Sequence, residues 1–203
     1  MQSHTLDILE FEQVLAQVAR YAVSELGGRA VEALEPRESV WAEDALATVS
    51  EARSFVHAGL RVRLSRFEDV TPDAQRLHVQ GLILEPLVLR NFAHVLRLAR
   101  EVEHDLSSAT LPLARLQRIA EGLYANQRLE KQIYSSVDEH GNVRDAASAK
   151  LSAIRQHLRD DKLRANDTLR EFIEQHRDVV QEPIITIRND RYVVPLKPTF
   201  RRS

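Results

Sequence analysis

Apolar and polar positions along most of the chain repeat with a helical period. The longest and narrowest stripe lies in the last quarter. Leu151, Ile154, Leu158, Ala165, Leu169 and Phe172/Ile173 follow one another at steps of three, four, seven, four and three or four residues, which keeps them on one helix face. So narrow a stripe is the seam of a two-helix contact rather than a face deep in a globule. It carries a polar gap at Asp161/Lys162, and Arg155, Arg159, Arg164 and Arg170 stand among Asp160, Asp161, Asp167 and Glu171 as a solvated, ion-paired face. Ser148 can cap the start, its hydroxyl accepting from a first-turn amide. Upstream, Asp138-Glu139-His140-Gly141-Asn142 is a turn cluster that prevents a much earlier start. The pattern predicts one helix from Ser148 to about Arg177, roughly 43 Å long at 1.5 Å per residue. A partner of similar length is expected for its seam.

After that helix the pattern changes. Pro183 lacks an amide hydrogen and biases Glu182 away from the helical basin. Ile184-Ile185-Thr186-Ile187 is β-branched throughout, and Tyr192-Val193-Val194-Pro195-Leu196 is a second β-rich run. Arg188-Asn189-Asp190-Arg191 between them predicts a hairpin over 184–196, because Asn and Asp tolerate the positive φ of a tight turn. Pro195 marks an edge or a strand end. A lone two-stranded hairpin is marginal in water, so more strands should follow. The chain instead closes on Phe200-Arg201-Arg202-Ser203, and it reads as a piece of a longer protein cut just inside the next domain.

The first three quarters predict a series of helices. Leu6 to about Tyr21 forms one, with Leu6, Leu9, Val14, Leu15 and Val18 on a broad face. Ser24 caps a second that stops by Pro36, and Gly27-Gly28 weakens it or lets a neighbour approach. Ser39 to Ala58 forms a third, with Trp41, Ala45, Leu46, Val49, Ala52 and Val56 inward and Gly59 past its end. Leu60 to Leu64 alternates and is either a short strand or an extended connector. Thr71-Pro72-Asp73 opens a short helix to Val79, closed by Gly81. Glu85-Pro86 opens a longer one to His104 carrying Leu87, Leu89, Phe92, Val95, Leu96 and Leu98. Further helices run from Leu111-Pro112 to about Leu123 and from Leu129 to Ser135. The predicted architecture is mainly α: a multi-helix core bundle, then one long helix, then a short β-hairpin.

Composition narrows the function. Cysteine is absent, which removes disulfides, thiolate metal sites and cysteine nucleophiles and fits a reducing cytoplasm. No stretch approaches the roughly 20 apolar residues of a membrane span, and the polar start has no signal-peptide pattern, so a cytoplasmic protein without a membrane partner is expected. Charge is uneven. Residues 1–140 carry 15 Arg and Lys against 21 Asp and Glu, net −6; residues 141–203 carry 13 against 9, net +4. A basic arm on an acidic body aims one end at an anionic partner and keeps the other off it.

Catalytic patterns are missing. There is no phosphate-cradling Gly-rich loop with a Lys, no His-Glu-x-x-His pair and no Gly-x-Ser-x-Gly. His94 and His104 share a helix face three turns apart, too far to hold one metal, and Asp138 and Asp145 do not match the calcium-loop spacing. No catalytic or metal residue is assigned. The open chemistry is phosphate contact: Arg188, Arg191, Lys197, Arg201 and Arg202 surround the hairpin and its exit, where cations position a protein on a nucleic acid without reading sequence. Tyr192 and Phe200 can stack on bases, although alternation favours packing against further strands for both.

The stretch Ile133, Asp138-Glu139-His140-Gly141-Asn142-Val143-Arg144-Asp145-Ala146-Ala147-Ser148, Leu151, Ile154-Arg155, and then Gln181-Glu182-Pro183-Ile184-Ile185-Thr186-Ile187-Arg188-Asn189-Asp190-Arg191-Tyr192-Val193-Val194-Pro195-Leu196-Lys197 resembles the second bacterial subfamily of MutS proteins. So does the opening, Leu9-Glu10-Phe11 with Tyr21-Ala22-Val23-Ser24-Glu25-Leu26-Gly27. Arg61 to Leu129 matches only in helical pattern, and Asp190 departs from the Gly commoner in that turn. The resemblance implies a helical core over 1–147, a long lever helix over 148–180 and the truncated start of a β-containing clamp over 181–203. It also implies that a returning lever, an ABC-type ATPase and a small endonuclease domain lie elsewhere in the whole protein. ATP and Mg²⁺ would then bind the whole protein and not this region, and no nucleotide-binding or nuclease residue carries over.

Such proteins are linked to branched or damaged DNA, to suppression of homologous recombination and to rescue of collided ribosomes. The implied partners are DNA or ribosomal RNA and a second copy of the full-length chain. The competing expectation is a helical dimerisation or scaffold module without nucleic-acid contact, resting on the seam of Leu151, Ile154, Leu158, Leu169 and Phe172.

Overall fold

A computed structural model describes residues 3–36, 39–189 and 191–200. It is mainly helical, with a two-stranded antiparallel hairpin near the C-terminal end. Two compact units divide the chain, Met1–Arg144 and Asp145–Ser203. No helix among the described residues is long and apolar enough to cross a membrane.

The first unit begins with α1 (Ser3–Ile8) and α2 (Phe11–Ala19), where the pattern predicted one helix. Glu10 breaks it with a left-handed φ of 50°. Leu9 and Leu15 are six residues apart and would point about 120° apart in a continuous helix. After the break Leu15 is buried, while Leu9, Val14 and Val18 stay exposed. In α3 (Glu25–Glu32) the Ser24 hydroxyl accepts from the Gly27 amide at 3.1 Å, so that cap forms as expected. Helices α2 and α3 pack against each other.

Helix α4 (Ser39–His57) has the predicted span, and Gly59 follows it at φ 78°. Its buried face is not the predicted one. Trp41, Leu46, Val49 and Val56 are exposed, whereas Phe55 is only 3% exposed. A polar side chain shares the buried face with Phe55. Glu51 Oε2 accepts from the backbone amides of Arg115 at 2.9 Å and Leu116 at 3.1 Å. These open α7 (Ala114–Glu121), whose own N-cap residue, Leu113, offers no side-chain acceptor. A carboxylate from α4 therefore supplies the missing cap, which also suits the positive end of the α7 dipole.

Leu60 to Leu64 is an extended connector and not a strand. Polar ties hold it: Arg63 donates to Asp105 at 2.6 Å, and Ser65 meets His94 Nε2 at 3.0 Å. Helix α5 (Thr71–Arg76) is shorter than predicted, ending before Val79. The central element is α6 (Pro86–Ser107), which packs against α7 and α8 (Gln127–Ser136). Phe55, Leu106, Leu113 and Ala120 form the core, with Val62, Val102 and Leu116 against it. Along the α6–α8 contact Arg100 grips Glu130 through two bonds of 3.0 Å, and Arg90 lies 4.9 Å over the Tyr134 ring. The turn cluster follows as predicted. Asp138 Oδ1 accepts from the amides of His140 and Asn142, Gly141 takes φ 81°, and Val137 bridges Val143.

The second unit is a 3₁₀ turn (Asp145–Ala147), the long helix α9 (Ala149–Gln175) and the hairpin of β1 (Thr186–Arg188) and β2 (Arg191–Val193). Ser148 caps α9, accepting from the Leu151 amide at 3.1 Å. Asp145 ties the 3₁₀ turn to the first turns of the helix through Arg155 at 2.6 Å and Arg159 at 3.4 Å. With 27 residues, α9 is about 40 Å long.

Candidate nucleic-acid interface

The hairpin register follows from its turn. Thr186 pairs with Val193, Ile187 with Tyr192 and Arg188 with Arg191. Asn189 takes the left-handed φ of 50° that a two-residue loop demands. Its neighbour Asp190 lies outside the described residues, as do Arg201 and Arg202. The register sets two exposed guanidinium groups, Arg188 and Arg191, on directly opposed backbone positions beside the turn. Like charges directly opposite one another destabilise a strand pair. An anion lying between them converts that repulsion into two charge-assisted hydrogen bonds.

Lys197 is placed differently. It stands at the base of the hairpin, where its ammonium donates to the Asp178 carbonyl at 2.6 Å and its backbone amide to Val179 at 3.0 Å. Gln181 donates to the Pro195 carbonyl and Val180 bridges Leu196. The segment leaving α9 is thereby zipped to the segment leaving β2. Lys197 closes that zipper, and an ammonium holding one acceptor keeps two further donors. Tyr192 is half-buried and faces Ile187 across the ladder.

An open cleft of about 860 Å³ lies between the last turns of α9 and the hairpin base. Arg170, Arg177 and Lys197 line it beside one carboxylate, Glu174, over an apolar floor that includes Ile173, Val180 and Ile185. Sequence reading left Arg170 among the solvated charges and named Arg177 only as the approximate end of the long helix. Arg177 lies in the turn past the end of α9 at Gln175, so helical spacing alone could not pair it with Arg170. Their convergence with Lys197 needed the hairpin to fold back, which no local pattern states.

The seam residues lie along α9. Leu151 and Leu169 are half-buried, Ile154 and Leu158 exposed, and Phe172 stacks on His176 with ring centroids 4.4 Å apart. The buried residue of this helix is Ile173, one position on from Phe172.

No family model matches the chain. Whole-chain similarity to curated proteins is nevertheless clear. Endonuclease MutS2 of Geobacillus thermodenitrificans is 33% identical over 213 residues, covering 100% of this chain and 26% of that protein. Endonuclease MutS2 of Gemmatimonas aurantiaca is 34% identical over 208 residues, covering 99% and 25%. The putative endonuclease MutS2 of Bacillus subtilis is 30% identical over 211 residues, covering 100% and 26%. The chain spans about a quarter of the length of the curated relatives it matches.

Proposed function

The chain belongs to the MutS2 family, and from that premise we propose that it is the core and lever region of an ATP-driven clamp that embraces nucleic acid. Residues 1–147 are the core, 148–180 the lever and 181–203 the beginning of the clamp. The observation that carries the reading is the Arg188–Arg191 pair, two cations opposed at the turn of a hairpin that terminates a helical arm of about 40 Å. A pair of that kind grips phosphate and reads no base edge. The target is duplex DNA with branches or damage, whose phosphates crowd at junctions. Ribosomal RNA of collided ribosomes presents the same chemistry, and competition between the two separates them. ATP and Mg²⁺ belong to an ATPase in the remainder of the whole protein, as does the endonuclease named in its relatives. The lever couples nucleotide state to the clamp.

Titrating full-length protein with branched duplex DNA across a salt series tests this. Each lost phosphate contact reduces the magnitude of the negative slope of log K against log salt by about 0.9, so Arg188→Ala with Arg191→Ala should make it shallower by about 1.8. An unchanged slope rejects the tip as the contact. The second reading, a dimerisation module, is favoured by the exposure of Ile154 and Leu158 along the seam.

A further inference from the structure

The cleft beside the hairpin base carries charge that the tip pair does not use. Arg170, Arg177 and Lys197 stand against one carboxylate, Glu174, which leaves a net charge of +2. The side chains of Arg170, Glu174 and Arg177 are exposed and form no hydrogen bond or ion pair among the described residues. Two free guanidinium forks therefore line the opening, each able to grip an oxyanion through two bonds. Lys197 is fixed by the Asp178 carbonyl and keeps two donors.

Beside these charges the wall is aliphatic. Ile173 and Val180 are buried and Ile185 is half-buried. The wall is pinned, because Val180 bridges Leu196 and Gln181 donates to the Pro195 carbonyl at 2.9 Å. At about 860 Å³ the cleft is far larger than one oxyanion, and it falls within the roughly 300–1,000 Å³ of small-molecule sites. Its occupant has an anionic end and an apolar body. A charge of +2 suits a phosphate monoester, close to −2 near pH 7. It suits an internal phosphodiester, at −1, less well. A nucleotide with a terminal phosphate meets both demands, since every base has an apolar π-face.

We propose that this cleft seats the terminal nucleotide of a nucleic-acid strand, its phosphate monoester on Arg170, Arg177 and Lys197 and its base on Ile173, Val180 and Ile185. Glu174 accepts from a sugar hydroxyl or a base amino group. The aliphatic wall touches the face of the base and reads no edge, so the site selects strand ends and not sequence. A free mononucleotide carries the same groups. The strand end is the favoured source because the hairpin joins the cleft to the Arg188–Arg191 pair. Arg191 and Lys197 are six residues apart, at most about 20 Å of chain, so one strand can meet both. The inference rests on the reading of the hairpin tip as a nucleic-acid contact and gives it a substrate class, broken strands that end in phosphate.

The test uses full-length protein in EDTA, so that no divalent cation supports turnover. Binding is measured to single-stranded oligonucleotides of one sequence with a phosphate at the 5′ end, at the 3′ end or at neither. A phosphorylated strand binding about tenfold tighter than the unphosphorylated one is expected, the effect of one charge-assisted contact. Equal affinity for all three overturns the proposal. Arg170→Gln with Arg177→Gln should bring the ratio to about 1, and a preference that survives this change overturns it as well. Thymidine monophosphate should compete at least about 100-fold less well than the phosphorylated strand, because it lacks the linked contact at the tip. Equal competition overturns the assignment to strand ends. Arg188→Ala with Arg191→Ala should weaken binding of all three strands and leave their ratio unchanged, so the cleft and the tip contact fail separately.

Discussion

At the scale of single residues, the decisive groups in the first unit are charges set against buried surface. Glu130 is 6% exposed and takes both of its bonds from Arg100. Removing one partner of such a pair strands the other, which costs more than the pair itself contributes. Arg100 is about a third exposed and can turn to water. Glu130→Ala should therefore destabilise by about 2–3 kcal/mol, below the full cost for a wholly buried pair, and a urea titration reads it. Acid has a separate signature. Four carboxylates lie below their usual range: Asp69 through the Thr71 hydroxyl and amide and then Arg29, Asp105 through Arg63, Asp138 through the Asn142 amide and side chain, and Asp145 through Arg155 and then Arg159. A lowered carboxylate contributes stability above its unfolded value near 3.9 and loses it as pH falls through the folded value. His94 is also lowered, by burial first and then by Arg97. Its folded form resists protonation, so its contribution starts to fall as pH drops through about 6.5. Unfolding midpoints against pH should show a shallow step beginning near 6.5 and a steep loss below about 4. His94→Gln should flatten the shallow step and leave the steep one.

At the scale of elements, legibility followed the reach of the forces. Helix α9 was plain in sequence because its cap, its stripe and the proline beyond it act within a few residues. The hairpin was plain because of its turn residues, but Arg188 and Arg191 were read as lying between the strands, whereas the structure makes them the strand ends that pair across the turn. Helix α4 was placed correctly and rotated wrongly. Its apolar side chains lie on two sides, so periodicity alone could not choose the buried one, and the side that is buried carries Phe55 into the core and sets Glu51 to cap a helix more than 60 residues away. The break at Glu10 was missed for a related reason, since a broad face of Leu and Val hides a change of phase. Lys197 is the clearest case at the candidate site. Sequence grouped it with the phosphate-binding cations, and the structure uses its ammonium to close the hairpin base on Asp178. Lys197→Ala separates the two roles. If the clasp is its main work, the amides of Gln181 and Lys197 should exchange about fivefold faster, the effect of losing about 1 kcal/mol. The salt slope for DNA should then move by much less than the 0.9 of one phosphate contact.

At the scale of the whole molecule, the question is what meets the exposed stripe on the arm. The acidic residues 1–140 and the basic residues 141–203 differ in net charge by ten. Under the proposed clamp reading that asymmetry would orient the protein on a polyanion, but it supplies no partner for Ile154 and Leu158. A returning lever and a second copy would both cover them, and substitution distinguishes the two. Leu158 is about half exposed in this region, so Leu158→Glu should change the stability of the region alone by no more than about 0.5 kcal/mol. If the seam pairs within one full-length chain, the same change should lower thermal stability of that chain at every protein concentration and leave its sedimentation coefficient unchanged. If the seam pairs two chains, the loss should shrink as concentration rises, and sedimentation should shift toward monomer. The clamp reading requires the first outcome, because a lever that transmits nucleotide state must be braced along its length by the same chain. The second would make the arm a dimerisation rod and move the phosphate contact to a secondary role.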